Sequence, residues 1–345
     1  MIPASVNDVY KKILSRVPSP ELDTVRKTLQ IIVAARRPLT IPEMAIALGV
    51  ATSLDSQTIA EARLDASLTG EKLLRLCGLF VFINNSKVYL IHQTAREFLI
   101  AKTVSTTIDS IYPWSFSEAE AQMGSVRLRY LLAEDLEKDE EPLDTRAFFE
   151  YSAVHWPGHV RTMALGSMPL IANQLHRLYD TRTKLLSLWF PIFWKTFRPY
   201  NTTPTLNALH IAAFNGHEQE VDYLLEVDKS DINAADSTLT YPIIWASLNG
   251  HDIVVHMLLK KGADVNAQGG RYGNALYAAC SEGHDKIVQM LLEKGADVNA
   301  PGGYYGNALY IACSGGHDEI VYMLLERQAD QSTLSFPHPK RLKLF

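Results

Sequence analysis

Cysteine is scarce, with Cys77, Cys280 and Cys313 the only three in 345 residues. So few thiols cannot build a disulfide framework, which points to a reducing compartment. Long apolar runs are missing as well. The most apolar stretch, Leu185 to Trp194, is ten residues long and contains Pro191, whereas a bilayer span needs roughly 20 residues. The opening Met1-Ile2-Pro3-Ala4-Ser5-Val6-Asn7-Asp8 has no basic segment followed by an apolar core, so no secretory leader is read there. Nowhere does a Gly-Lys-Ser/Thr loop occur, the arrangement whose backbone amides cradle a triphosphate. No Ser/His/Asp or Cys/His grouping has a local signature either. The expectation is a cytoplasmic protein without catalysis, cofactor or metal.

What is present looks globular, with 47% apolar and 21% charged residues. The net charge of −5 conceals a segregation. Residues 1–103 carry 13 basic and 9 acidic side chains, 104–200 carry 10 and 12, and 201–330 carry 7 and 17. The last fifteen residues return to +3. Such shifts mark separate modules, read as 1–103, 104–200, 201–332 and a disordered basic tail over 333–345.

The third module is repetitive. Gly-His recurs at Gly216-His217, Gly250-His251, Gly283-His284 and Gly316-His317, at intervals of 34, 33 and 33 residues. Four residues before each glycine stands an alanine (Ala212, Ala246, Ala279, Ala312), and seven before it Leu209, Ile243, Leu276 or Leu309. Ile287-Val288 and Leu291-Leu292 then share one helical face. The segment Gly262-Ala263-Asp264-Val265-Asn266-Ala267 returns as Gly295-Ala296-Asp297-Val298-Asn299-Ala300. Each unit reads as a helix, a glycine in the left-handed conformation, a second helix and a polar connection. Stacked neighbours bury what one pair of helices cannot.

These units resemble the ankyrin repeat. The family's Thr-Pro-Leu-His-x-Ala signature appears as Asn207-Ala208-Leu209-His210-Ile211-Ala212, then from Tyr241-Pro242, Asn274-Ala275 and Asn307-Ala308. Loss of its Thr and His implies fewer local hydrogen bonds and looser units. The first unit gains a residue at Val227-Asp228-Lys229-Ser230 and lacks the usual glycine. Four evenly spaced histidines invite a metal site, but units stacked about 10 Å apart cannot converge on one zinc. The same spacing forbids a Cys280–Cys313 disulfide and leaves both as small buried residues.

Carried over position by position, the family's concave face implies a protein-binding surface. It comprises Phe214, Asn215, Leu248, Asn249, Ser281 and Glu282 before each Gly-His. Ser237, Thr238, Thr240, Arg271, Tyr272, Tyr304 and Tyr305 lie at the loop tips. The tyrosines either offer contact area to a partner or pack on the next loop. The acidic charge favours a protein partner with a basic surface over nucleic acid.

At the other end, helices are read over 6–16, 20–36, from Thr40 or Ile41 through Gly49, and over 62–76. Strands at Leu79–Ile83 and Val88–Ile91 flank Asn84-Asn85-Ser86-Lys87, a hairpin turn, and a last helix spans Gln93–Lys102. Three helices and a two-stranded wing make a winged helix. The reading helix of a DNA binder needs phosphate-neutralising charge. Here Arg63, Lys72 and Arg75 are offset by Glu61, Asp65 and Glu71, which disfavours DNA.

Three runs, Ala34 to Met44, Leu76-Cys77-Gly78-Leu79 and Val88 to Leu99, together resemble the winged-helix segment behind the NACHT ATPase of fungal NLR-like (STAND) proteins. The segment is also found in GPI inositol-deacylase-like sequences. Phe148 to His159 is similar to the inter-domain helices of those proteins, many of which end in ankyrin repeats. The resemblance implies a C-terminal sensor or scaffold part of such a protein, lacking its ATPase. It also implies that His92, at the wing-to-helix junction, senses nucleotide phosphate, although Gln93 stands where an acidic residue is usual. That alternative needs a NACHT ATPase supplied upstream or in trans. The other reading has His92 simply start the last helix.

Between the modules, residues 104–117 read as a linker, and helices are expected at 118–135, 145–156 and 168–197 around the acidic loop Glu134–Glu141. The aromatic run Trp189 to Trp194 is expected to cover the open apolar end of the first repeat. Lys340, Arg341 and Lys343 fit a short nuclear-import pattern. The fold expected is mainly α: winged helix with a small β-wing, helical connector and ankyrin-repeat solenoid.

Overall fold

The computed structural model describes residues 4–53, 55–100, 114–137, 146–163, 168–198, 203–303 and 306–329. Tyr304, Tyr305, residues 104–113 of the linker, residues 138–141 of the acidic loop, and the tail with Lys340, Arg341 and Lys343 lie outside the described residues. The chain forms two compact units, Met1–Asn201 and Thr202–Phe345. The winged helix and the connector, expected as separate modules, are therefore packed as one.

The first unit opens with α1 (Ala4–Leu14), α2 (Leu22–Ala34), α3 (Ile41–Thr52), a single turn α4 (Ile59–Ala62) and α5 (Ala66–Cys77). Helix α3 starts on a reciprocal cap. The Thr40 hydroxyl accepts from the Glu43 amide at 3.3 Å, and the Glu43 carboxylate accepts from the Thr40 amide at 2.7 Å. The wing pairs β1 (Val81–Asn84) with β2 (Lys87–Leu90) in antiparallel register, Asn84 opposite Lys87. Asn85 and Ser86 both take positive φ, 47° and 58°, as a two-residue turn between twisted strands demands. The wing leads into α6 (Gln93–Leu99). Tyr10 of α1 packs against Phe80 and Phe98 at 5.0 and 5.1 Å, closing the winged-helix core.

The connector supplies α7 (Phe116–Leu131), α8 (Phe149–Thr162), α9 (Met168–Tyr179) and α10 (Lys184–Phe197). Residues 168–197, expected as one helix, are broken because the Asp180 carboxylate accepts from the Arg182 amide at 3.0 Å. The Asp180 carbonyl also turns the chain back to the Thr183 amide. Side chains of the connector cap the winged helix. Asp135 accepts from the amides of Ile59 and Ala60 at 2.9 and 3.0 Å, and Arg129 donates to the carbonyls of Val50, in the last turn of α3, and Ser53, just past its end. Trp189 meets Trp156 edge-on at 5.2 Å. The aromatic run read as a cover for the repeats thus has, at Trp189, a place in the core of its own unit.

A buried polar seam runs between α7 and α8. Glu120 accepts from His159 Nδ1 at 2.7 Å, from the Thr162 hydroxyl at 2.7 Å and from Arg36 at 2.9 Å. Burial drives the His159 imidazole down to about 4, so at neutral pH it donates to the carboxylate without a charge of its own. Two turns away Arg127, fully buried, stacks on the Tyr151 ring at 4.3 Å.

The second unit is four helix pairs: α11 (Ala208–Asn215) with α12 (Glu218–Glu226), α13 (Pro242–Leu248) with α14 (Asp252–Lys260), α15 (Ala275–Glu282) with α16 (Asp285–Glu293), and α17 (Ala308–Gly315) with α18 (Asp318–Glu326). The Gly-His dipeptides explain themselves here. Gly250 and Gly283 take φ of 73° and 76°, and a Cβ on either would stand 2.6 Å from the imidazole of the next unit, His284 or His317. The ring lies there because its Nε2 bonds the preceding unit: His251 to the Phe214 carbonyl at 2.9 Å, His284 to the Leu248 carbonyl at 3.2 Å. His251 and His284 are fasteners between repeats, and His317 lies on Gly283 in the same way, which accounts for their period.

The expected loosening of the repeat starts does not occur at three units. Asn207, Asn274 and Asn307 accept from the amides of His210, Tyr277 and Tyr310 at 3.0, 2.8 and 2.9 Å. Asparagine caps a helix at least as well as threonine. At the irregular connection Lys229 adopts φ 55° where the later units have glycine, and the Ser230 amide still reaches the Leu224 carbonyl at 2.9 Å. Cys280 is buried as expected, whereas Cys313 is only half-buried.

Two measurements check this account. In urea unfolding, His284→Ala is expected to lose ~1 kcal/mol for its inter-repeat bond. Gly283→Ala adds a left-handed penalty of roughly 1–2 kcal/mol to a steric clash and should exceed it. Separately, burial pushes the Glu220 carboxyl of α12 up to about 8, with Asp228 adding to the effect. Between its ordinary value and 8, the folded chain holds a proton that the unfolded chain releases, so stability falls as pH rises through that window. Glu220→Gln should flatten this slope in melts taken from pH 5 to 9, leaving the variant more stable than the parent at the alkaline end.

Candidate functional site

The fingers between helix pairs are held by their own backbones. Gly269 donates to the Gly273 carbonyl at 2.6 Å and Gly302 to that of Gly306 at 2.7 Å, each making a narrow hairpin. Successive fingers are joined, since the Gly303 amide donates to the Tyr272 carbonyl at 3.1 Å and Asn274 Nδ2 to the Pro301 carbonyl at 3.2 Å. Gly302 admits no side chain, because a Cβ there would lie 2.2 Å from the Tyr277 ring. Below the fingers, Asn266 accepts from the Asp297 amide at 2.8 Å and donates to the Gly295 carbonyl at 3.1 Å. The ladder presents its finger-tip side chains at fixed intervals.

The sequence-derived surface divides when placed on this frame. Ser237, Thr238, Arg271 and Glu282 are exposed, and Asn249, Tyr272 and Ser281 are half-buried. Phe214, Asn215, Thr240 and Leu248 are buried and cannot meet a partner. Phe214 packs edge-on against Trp245 of the next unit at 5.6 Å. Thr240 donates its amide to Asp236 at 3.0 Å, and the same carboxylate accepts the Trp245 indole at 2.8 Å. These four carry the stack, and their burial comes from neighbouring units that a positional carry-over does not see. Tyr304 and Tyr305 lie outside the described residues.

One residue of the surface escaped sequence reasoning. Leu239, at the tip of the first finger, is 66% exposed with φ 60°. A leucine between Thr238 and Thr240, held out on a strained turn, costs both backbone and solvation energy, which is the mark of a contact residue. The charge is also distributed differently from expectation. Ten of the seventeen acidic residues in 201–330 lie on the second helices, among them Asp222, Asp252, Asp285 and Glu319. The finger side carries exposed Arg271 and Glu282 and is nearly balanced.

In the first unit, His92 is exposed and caps α6: its Nδ1 accepts from the Thr94 amide at 3.1 Å and lies 3.0 Å from the Thr94 hydroxyl. The geometry is that of a helix start. On the helix that would read DNA, Lys72 and Arg75 both face Glu21, at 3.5 and 3.9 Å. Among the described residues no helix is long and apolar enough to cross a membrane.

Comparison with known proteins agrees with both units. A family model for ankyrin repeats matches residues 195–269 and 267–334, and one for the winged-helix domain of GPI inositol-deacylase matches 22–109. The chain is 29% identical over 291 residues to the azaphilone pigments biosynthesis cluster protein L of Monascus ruber, covering 76% of this chain and 60% of that protein. It is 21% identical over 204 residues to the vegetative incompatibility protein HET-E-1 of Podospora anserina, covering 52% of this chain and 14% of the relative. The chain thus spans less than two thirds of either relative's length. It joins a winged-helix domain of the GPI-inositol-deacylase kind, through packed connector helices, to a run of ankyrin repeats.

Proposed function

We propose that the chain is a non-catalytic protein-interaction module and the sensor or scaffold part of an NLR-like fungal protein. The observation that carries this reading is the finger ladder. Its backbone and buried side chains are occupied in holding the stack, while Leu239, Arg271, Tyr272, Ser281 and Glu282 remain at its surface with no internal structure that requires all of them. An apolar tip beside a guanidinium and a phenol is the composition of an interface centre. The similarity to HET-E-1 supports the NLR-like setting. A basic partner surface would meet the second helices, where the acidic residues are concentrated, and a mixed one would meet the fingers.

A second reading makes the winged-helix unit a regulatory half of a NACHT nucleotide switch. One observation favours it: the His92 imidazole is oriented by Thr94 yet stays exposed. Nucleotide release from a NACHT ATPase, measured with and without this chain, should then change on addition of the parent and not of His92→Ala.

The interaction reading is tested by placing a photo-crosslinking residue at 271 and, as a control, at the exposed Lys286 of α16. A protein captured from 271 and not from 286 identifies the partner. Leu239→Asp or Arg271→Glu should weaken its binding at least about tenfold, the scale of a central interface residue. Equal capture from both positions, or binding indifferent to both substitutions, overturns the assignment.

A further inference from the structure

The first unit contains a groove of about 400 Å³ where the end of α2, the outer side of β2 and α6 approach one another. Three guanidinium groups, Arg36, Arg37 and Arg96, and the Gln93 amide share its lining with Leu39 and Leu90. No acidic side chain lines it. Arg37 is engaged by Glu43 through two bonds, at 2.9 and 2.7 Å, and Arg36 gives one of its five donors to Glu120. Arg96 faces no carboxylate among the described residues; it lies over the Phe116 ring at 5.4 Å. Excess positive potential is felt nearby, since His155 is held down to about 4 by burial and then by Arg127, Arg37 and Arg36.

The groove also contains an open strand edge. In this hairpin the hydrogen-bonded pairs are Asn84 with Lys87 and Phe82 with Tyr89, and the alternation continues with the Ile91 amide on the Phe80 carbonyl at 2.8 Å. The backbone groups of Val88 and Leu90 therefore turn away from β1. The Val88 amide is taken by the Leu39 carbonyl at 2.8 Å, and the Ile41 amide goes to the Ser86 carbonyl at 2.9 Å. The chain entering α3 covers the edge as far as Val88 and stops there. Leu90 has no backbone partner among the described residues, and it lines the groove.

An exposed edge beside Arg96, which faces no carboxylate among the described residues, and Arg36, which keeps donors to spare, recruits by two means at once: ladder bonds for any extended chain, and charge for an acidic one. We infer that this groove docks an acidic extended segment of a partner protein. The segment lies alongside β2 with its backbone on Leu90 and alternate carboxylates on Arg96 and Arg36. The side-chain period of two places successive carboxylates on the arginine side, while the residues between them face away. This surface is separate from the finger ladder and stands whether or not that ladder binds a partner.

The test uses the full chain and fluorescein-labelled octapeptides alternating Val with Glu or Val with Lys, followed by anisotropy at low salt. The Glu peptide should bind, more weakly as salt rises, and the Lys peptide should not. Arg96→Glu and Gln93→Glu, each checked for a parental melt, should weaken binding at least about tenfold through loss of charge-assisted bonds. N-methylation of alternate amides along one edge of the Glu peptide should abolish binding, while methylation along the other edge should not. Equal binding of the two peptides overturns the proposal, as does parental affinity in both folded variants. Displacement by millimolar inorganic phosphate, with both methylated peptides binding alike, also overturns it and assigns a small-anion pocket instead.

Discussion

The second unit depends on one contact: an imidazole laid across the glycine of the preceding repeat and bonded to a carbonyl beside it. The contact explains two residue types together. Glycine is needed at that place because the backbone turns left-handed there and because the neighbouring ring occupies the space of a Cβ. Histidine is needed because its ring is flat enough to lie on the glycine and carries a nitrogen to reach the Phe214 or Leu248 carbonyl. Helix spacing, finger spacing and the run of half-buried residues above follow from this repeated distance.

The first unit is organised differently, by charge placed inside. Glu120 gathers His159, Thr162 and Arg36 around one oxygen, and Arg127 lies buried against Tyr151. Such groups are costly to bury and give little net stability, but they are intolerant of misalignment. Together with Asp135 on the start of α4 and Arg129 on the last turn of α3, they fix the connector helices against the winged helix in one register. The two units thus achieve definition by opposite means, one by repetition of a single contact and the other by a few polar contacts that have no substitutes.

Much of this was legible in the sequence, for reasons that differ by region. The repeats announced themselves because stacking imposes a period, and a period survives in a single sequence. The wing was visible because a two-residue turn restricts its residues so tightly that Asn85-Ser86 between apolar runs is informative. The break at Asp180 was hidden, since a carboxylate turning on its own backbone leaves no mark among good helix formers. Four of the proposed contact residues, Phe214, Asn215, Thr240 and Leu248, proved to be buried: Trp245 of the next unit covers Phe214, and Gly270 of the next finger lies against Thr240, contacts that no local pattern displays. The basic groove is built from residues near 36, 90 and 96, a juxtaposition that only the packing of α2 on the wing creates.

Lys229 shows how a regular array absorbs an irregular length. The extra residue of the first connection is accommodated by a single left-handed lysine, and the hydrogen bond back to Leu224 is re-formed one position later. Neither adjoining helix is lengthened and the next imidazole still finds its glycine. Chain length in this protein is therefore decoupled from stacking geometry: connections can gain residues without moving the frame. Spacing along the array is a mechanical constant, and variation is free to collect in the loops.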